Sequence, residues 1–197
     1  MGVCMVGRAL RDETIEKILA DPPLVWRVVE PDNAQIYLRE IGQSKAPGFF
    51  EKLFGSKREW PPRVPSFELS EAEHQEFDLD KSWDGINFCV KKIQRSSNYP
   101  NLFEDGTLVG KVEVGYGPAM CFTSQKLALI AELYASITEE ELLAQYAPTE
   151  MKQVYLNGLW ERGDEECREY LIENFFSLKA FLGVVAKYNL GVIIQYS

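Results

Sequence analysis

Residues 164–187 read DEECREYLIENFFSLKAFLGVVAK and contain the strongest periodic pattern in the chain. Apolar side chains recur there at the i, i+3, i+4 and i+7 spacing of one helix face: Cys167, Tyr170, Leu171, Phe175, Leu178, Phe181, Leu182 and Val185. Each such side chain, once fully buried, stabilises the fold by roughly 1.5–3 kcal/mol. The stretch therefore predicts a long C-terminal helix that serves as the spine of the core.

Working outward, strand-like segments occupy residues 2–9, 108–114 and 192–196, and helical patterns lie between them. This arrangement predicts an α+β fold in which N-terminal, middle and C-terminal strands form a small mixed or antiparallel sheet packed on several helices. A length of 197 residues fits a single domain. Residues 22–68 hold seven of the ten prolines. They are expected to form an insertion packed on the domain, with a lid as the alternative.

The charge of the chain excludes some functions. It carries 21 basic and 30 acidic side chains, a net charge of −9. Nucleic acids and anionic membranes both require clustered Lys and Arg, so neither is an expected partner. The runs at residues 139–141 and 164–166 supply much of the acid. These runs are typical of helix starts, where carboxylates interact favourably with the positive end of the helix dipole. Alternatively, they form an acidic face for a basic protein partner.

Several kinds of site have no signal in the sequence. No run of 18 apolar residues and no secretory signal is seen, so a cytosolic location is expected. The four cysteines are far apart and His74 is the single histidine, which argues against a zinc site. No nucleotide-binding glycine motif is present. We therefore assign no catalytic residue, no metal site and no cofactor.

The densest group of chemically useful side chains lies in residues 78–87. Asp80 is expected to cap a helix that runs to about Ile93, with Trp83 on its apolar face. Asp84 and Asn87 lie within the same helix. Carboxylates beside Lys81 and a half-buried Trp suit acid–base chemistry, because burial and charge pairing shift pKa values. Capping, packing and backbone hydrogen bonds explain the same residues equally well.

Two further aromatic groups are candidate ligand contacts. Tyr116 lies in the turn GYGPA, residues 115–119, where a hydroxyl and flexible glycines favour close approach of a ligand. A rigid turn between a strand and a helix is the alternative. Tyr155 and Trp160 form the second group and are expected in the core or at the rim of a site.

Taken together, these motifs resemble the YfbM-like family, a group of small bacterial proteins classed as a domain of unknown function. The resemblance rests on the N-terminal Met-Gly-Val, on residues 79–88 (LDKSWDGINF), on GYGPA, on Tyr155 and Trp160, and on the long helix followed by a strand. In the family pattern a His follows the Trp by four residues and an Arg follows GYGPA, whereas this chain has Asn87 and Met120. The resemblance weakly implies an immunity role against bacterial toxins.

Three functions remain open at this point. The first is a non-catalytic binding protein, of the immunity type, for a basic toxin domain. The second is a small-molecule binder or hydrolase with a cleft near Asp80, Trp83 and Tyr116. The third is a structural or oligomeric scaffold. The sequence does not define the oligomeric state.

Overall fold

The sheet is built around the two ends of the chain. The computed structural model describes residues 2–45, 64–65, 69–94 and 98–197. Within them the strands are β1 (Met5–Leu10), β2 (Glu76–Asp78), β3 (Thr107–Glu113), β4 (Pro118–Phe122) and β5 (Gly191–Tyr196). They form one antiparallel sheet in the order β2-β1-β5-β4-β3. The predicted α+β fold is confirmed, and the sheet is antiparallel rather than mixed.

The helices cover both faces of this sheet. Their bounds are α1 (Asp12–Ala20), α2 (Trp26–Val29), α3 (Ala34–Glu40), α4 (Trp83–Gln94), α5 (Ser124–Ser136), α6 (Glu139–Gln145), α7 (Asn157–Trp160) and α8 (Glu165–Lys187). Short 3₁₀ segments lie at Pro22–Val25, Glu71–His74 and Met151–Gln153. The predicted insertion at residues 22–68 thus includes α2 and α3. Residues 46–63 and 66–68 of it lie outside the described residues.

Two apolar cores lie on opposite faces of the sheet because strand side chains alternate between the faces. Met5, Ala9 and Val192 point into the larger core, which α4, α5, α6 and α8 cover. Leu10 and Ile193 point into the smaller core, which is completed by α1, α2, α3 and the 3₁₀ turn before α2. No described helix has the length and apolar content needed to cross a membrane.

Helix α8 forms the spine of the larger core, as predicted. Asp164 is its N-cap and accepts a hydrogen bond from the Cys167 N–H at 3.0 Å. Every side chain predicted to face inward is buried except Tyr170, which is half-buried. At the start of α6 a capping box between Thr138 and Glu141 satisfies two backbone N–H groups. Part of the acidic charge therefore has a local structural role.

Two helical glycines allow a test of how tightly the larger core is packed. A Cβ added at Gly85 would lie 2.4 Å from the Trp160 ring, whereas one at Gly183 would meet no atom within 4 Å. Gly85→Ala should therefore destabilise the protein by about 1–3 kcal/mol, because the core must shift. Gly183→Ala should stabilise it by about 0.5–1 kcal/mol, the usual helix-propensity gain. Urea unfolding measures both values, and equal effects of the two variants would contradict this packing.

Candidate functional site

The residues just before β1 bring the Asp80 segment and α4 together. The Trp83 indole N–H donates to the Val3 carbonyl oxygen at 2.8 Å, and the Cys4 thiol donates to Asp80 Oδ1 at 3.0 Å. Backbone hydrogen bonds between Met5 and residues 79 and 80 extend this contact. The position of Trp83 and Asp80 thus depends on the N-terminal segment.

Asp80 lies in a tight turn and does not cap the helix. Its φ of 44° is in the left-handed region, and α4 begins only at Trp83, so the predicted cap is wrong. The Tyr170 hydroxyl donates to Asp80 Oδ2 at 2.9 Å. The hydrogen bonds from Cys4 and Tyr170 hold the pKa of the Asp80 carboxyl below its usual range. Asp80 is therefore a carboxylate at neutral pH.

Cys4 and Lys81, which lie next to Asp80, also take part in hydrogen bonds. The hydrogen bond to Asp80 raises the pKa of the Cys4 thiol, so the thiol stays protonated and is a weak nucleophile. The backbone N–H of Lys81 donates to the Tyr170 hydroxyl at 3.0 Å. The Lys81 side chain is exposed and runs beside Gly2.

Asp84 is buried and ties α4 to α7. It accepts hydrogen bonds from the Leu156 backbone N–H at 2.6 Å and from the Trp160 indole N–H at 2.8 Å. Burial raises the pKa of Asp84 despite these donors. Trp160 is fully buried, so it belongs to the core and not to an exposed surface. Asn87 accepts from the Asn101 side chain at 3.1 Å and thereby links α4 to Asn101.

Above this buried pair lies a surface that we call the aromatic face, formed by the rings of Trp83, Tyr155 and Tyr196. The Trp83 ring packs edge-on against Tyr196 with the centroids 5.0 Å apart, and lies 6.3 Å from Tyr155. The Tyr116 backbone N–H donates to the Tyr196 carbonyl oxygen at 2.7 Å. Tyr155 is 60% exposed and Tyr116 is 64% exposed. The site therefore combines a half-buried indole with the accessible phenol ring of Tyr155.

Sequence reasoning did not include Tyr196 among the candidate residues. It lies in the C-terminal strand, whose apolar residues indicated core packing, and only the spatial approach of β5 to α4 places its ring against Trp83. The strand alternation already put Tyr196 on the same face as Val192 and Ile194, which was the one available signal.

Protein donors hold both carboxylates of the site in place. Asp80 and Asp84 each accept two hydrogen bonds from protein groups, so both carboxylates are positioned by the fold. Among the described residues, no three His, Cys, Asp or Glu side chains are grouped as they would be around a metal ion. The surface presents aromatic rings near the negative charge of Asp80.

Comparison with known proteins identifies relatives but no activity. A family model described as Domain of unknown function (DUF1877) matches residues 1–195. The structure is similar to that of YfbM from Escherichia coli, a protein of unknown function, with a TM-score of 0.51 and 12% sequence identity over 98% of this chain and 99% of that chain. At this identity the likeness shows a common fold only. No curated protein matches the chain.

The link between Asp84 and Trp160 leads to a pH-dependent prediction. Trp160→Phe removes the indole donor and some core volume, so it should destabilise the protein by about 2–4 kcal/mol at pH 7. The pKa of Asp84 is higher in the folded protein than in the unfolded chain, so protonated Asp84 stabilises the fold. This stabilisation is fully present below the unfolded-state pKa of about 3.9. The stabilisation is lost as the pH rises through the folded-state pKa of Asp84. Removing the indole donor raises this folded-state pKa further, so the variant loses more stability on ionisation. The penalty should therefore grow from pH 4 to pH 7 in urea unfolding.

Trp83→Phe is the matched control, because its indole N–H donates to a backbone carbonyl and not to a carboxylate. Its penalty should be about 1 kcal/mol and should not change over the same pH range. A Trp160→Phe penalty that is flat with pH would show that the indole does not stabilise an ionised Asp84.

Proposed function

The chain belongs to the DUF1877 family, and we propose that it is a cytosolic, non-catalytic binding protein whose aromatic face engages a basic protein partner. The proposed partner class is a toxin domain, which would make the chain an immunity-type protein. The observation that carries this proposal is the aromatic face itself, in which the exposed Tyr155 ring lies beside a half-buried Trp83 that packs on Tyr196.

Trp and Tyr are the side chains most enriched in the energetic centres of protein interfaces. They bring a large contact area at a small cost in side-chain entropy. Here the Trp83 ring is already held by its hydrogen bond to Val3 and by its contact with Tyr196. A ring that is fixed before binding loses less entropy in the complex, which favours affinity.

Charge supports a basic partner. The net charge of −9 provides long-range attraction, and Asp80 adds a carboxylate near the aromatic face. Within the acidic runs, Glu141 and Asp164 bond to helix starts and Glu166 pairs with Arg162. Attraction from the whole chain should therefore contribute mainly to the rate of association.

The two other functions receive less support. A hydrolase needs a carboxyl group free to take or give a proton, whereas Asp80 and Asp84 each have two donors. Asn87 and Met120 also stand where the family pattern has a His and an Arg. A monomeric scaffold role does not account for the exposed Tyr155 ring beside Trp83.

Replacing an exposed ring tests the proposed face directly. Tyr155→Ala should weaken binding to a purified basic toxin domain by at least about tenfold, because the face loses an exposed ring. Tyr188→Ala is the matched control, since Tyr188 is 56% exposed and lies at the C-terminal end of α8, away from the face. It should change the Kd by less than about twofold. Isothermal titration calorimetry gives both values, and equal losses would contradict the proposed face.

Varying the salt concentration distinguishes the contribution of the acidic residues to binding from that of the aromatic rings. Raising NaCl from 50 to 300 mM should slow association with little effect on dissociation, because surface charges are screened. The double variant Glu139→Lys and Glu140→Lys should slow association in the same direction, since both carboxylates are exposed. An association rate that neither change affects would rule out a basic partner.

A further inference from the structure

Helix α8 has an exposed face as well as the face that forms the spine of the core. Exposed residues recur there every three or four positions, so they form one line along the helix. We call this line the outer stripe, and its members are Glu173, Phe176, Ala180, Gly183 and Lys187. Tyr170, through which α8 contacts Asp80, is not among them, so the outer stripe is separate from the aromatic face.

Two residues of the outer stripe are not explained by packing within one chain. The Phe176 ring contacts Phe175 and Lys179 and is still 36% exposed. Gly183 lies inside a helix of 23 residues, where glycine is less favourable than alanine. A Cβ added at Gly183 would nevertheless meet no described atom within 4 Å. The fold of a single chain therefore requires neither the exposed ring nor the glycine.

A second α8 helix, packed antiparallel on the first, provides a contact for both residues. A twofold axis at Ala180 sets residues that lie equally far before and after Ala180 opposite each other. Phe176 then faces the partner's Val184. In packed helices a side chain enters a hole between four residues of the facing helix. The hole beneath Phe176 is bordered by the partner's Ala180, the partner's Gly183, the partner's Val184 and the partner's Lys187. Alanine and glycine at its border leave room for a phenyl ring.

Charge supports the same register. Glu173 lies seven residues before Ala180 and Lys187 lies seven residues after it, so the axis sets Glu173 opposite the partner's Lys187. Symmetry forms this pair twice. Among the described residues, neither Glu173 nor Lys187 forms an ion pair within the chain. A parallel arrangement would instead set like charges opposite each other, which disfavours it.

We propose that a second copy of this chain docks on the outer stripe and forms a twofold homodimer through antiparallel α8 helices. One pair of helices buries less surface than the roughly 800 Å² per partner of a standard interface. The dimer should therefore exchange with the monomer at micromolar concentrations. The aromatic face is not part of this interface, so the dimer and the toxin-binding role can each be disproved without the other.

Sedimentation velocity of the full chain between about 5 and 500 µM tests the association itself. The weight-average sedimentation coefficient should rise with concentration and approach the value of a dimer. A monomer value at every concentration would overturn the proposal. Growth beyond the dimer would also overturn it, because a twofold interface is closed.

A charge exchange tests the register. Glu173→Lys and Lys187→Glu each set like charges opposite each other at two places, so each should raise the dimer Kd by at least about fivefold. The double variant restores opposite charges and should return the Kd to within about twofold of the original value. Glu161→Lys changes the net charge as Glu173→Lys does, at an exposed residue before α8, and should not weaken the dimer. A double variant that stays weak would refute the proposed pairing of two copies.

Filling the hole tests the shape of the interface. Gly183→Gln places a side chain where the partner's Phe176 packs, so it should raise the dimer Kd by at least about tenfold. The Tm of the monomer, measured at low concentration, should not fall, because the position is open and glutamine is a good helix former. An unchanged dimer Kd in this variant would show that Phe176 does not pack on Gly183 of the partner subunit.

Discussion

The pairing of β1 with β5 is the constraint on which the candidate site depends. It joins the two ends of the chain in the middle of the sheet, with Met5 opposite Tyr196 and Leu10 opposite Gly191. A slip of one residue would exchange the side chains of the two faces. Met5 and Ala9 would then leave the larger core, which makes the observed register strongly preferred. That register also puts Val3 and Cys4 beside α4, where they hold Trp83 and Asp80.

Several carboxylates serve this fold as structural acceptors. Asp84 joins α4 to Trp160, and Glu73 is buried at 0% exposure where it accepts hydrogen bonds from Arg11 and Ser70. Asp12 accepts from the backbone N–H and hydroxyl of Ser124 at the start of α5. Losing one partner of such a buried group leaves a charge without compensation, and that is costly. The two carboxylates that the described fold buries, Glu73 and Asp84, are therefore both engaged by protein donors.

The sequence predicted the features that depend on local pattern. The spine helix was found because its apolar spacing continues over 23 residues. Strand β2 was missed because three residues are too few for a pattern, and β4 because it starts at Pro118 within the GYGPA turn. Asp80 was expected to cap a helix because its type and position fit, but its donors, Cys4 and Tyr170, are 76 and 90 residues away. No local pattern contains that information.

The same limit applies to the candidate site. Tyr155 and Trp160 are near neighbours of similar type, yet one is exposed and the other fully buried, since the Trp160 indole reaches Asp84. Gln195 and Tyr196 are consecutive and point to opposite faces of β5, so only Tyr196 belongs to the aromatic face. Because a sheet strand is held by its backbone hydrogen bonds, a side-chain change at Gln195 has no direct path to the Tyr196 ring. The two faces of β5 should therefore respond separately to substitution, although a single strand supports both.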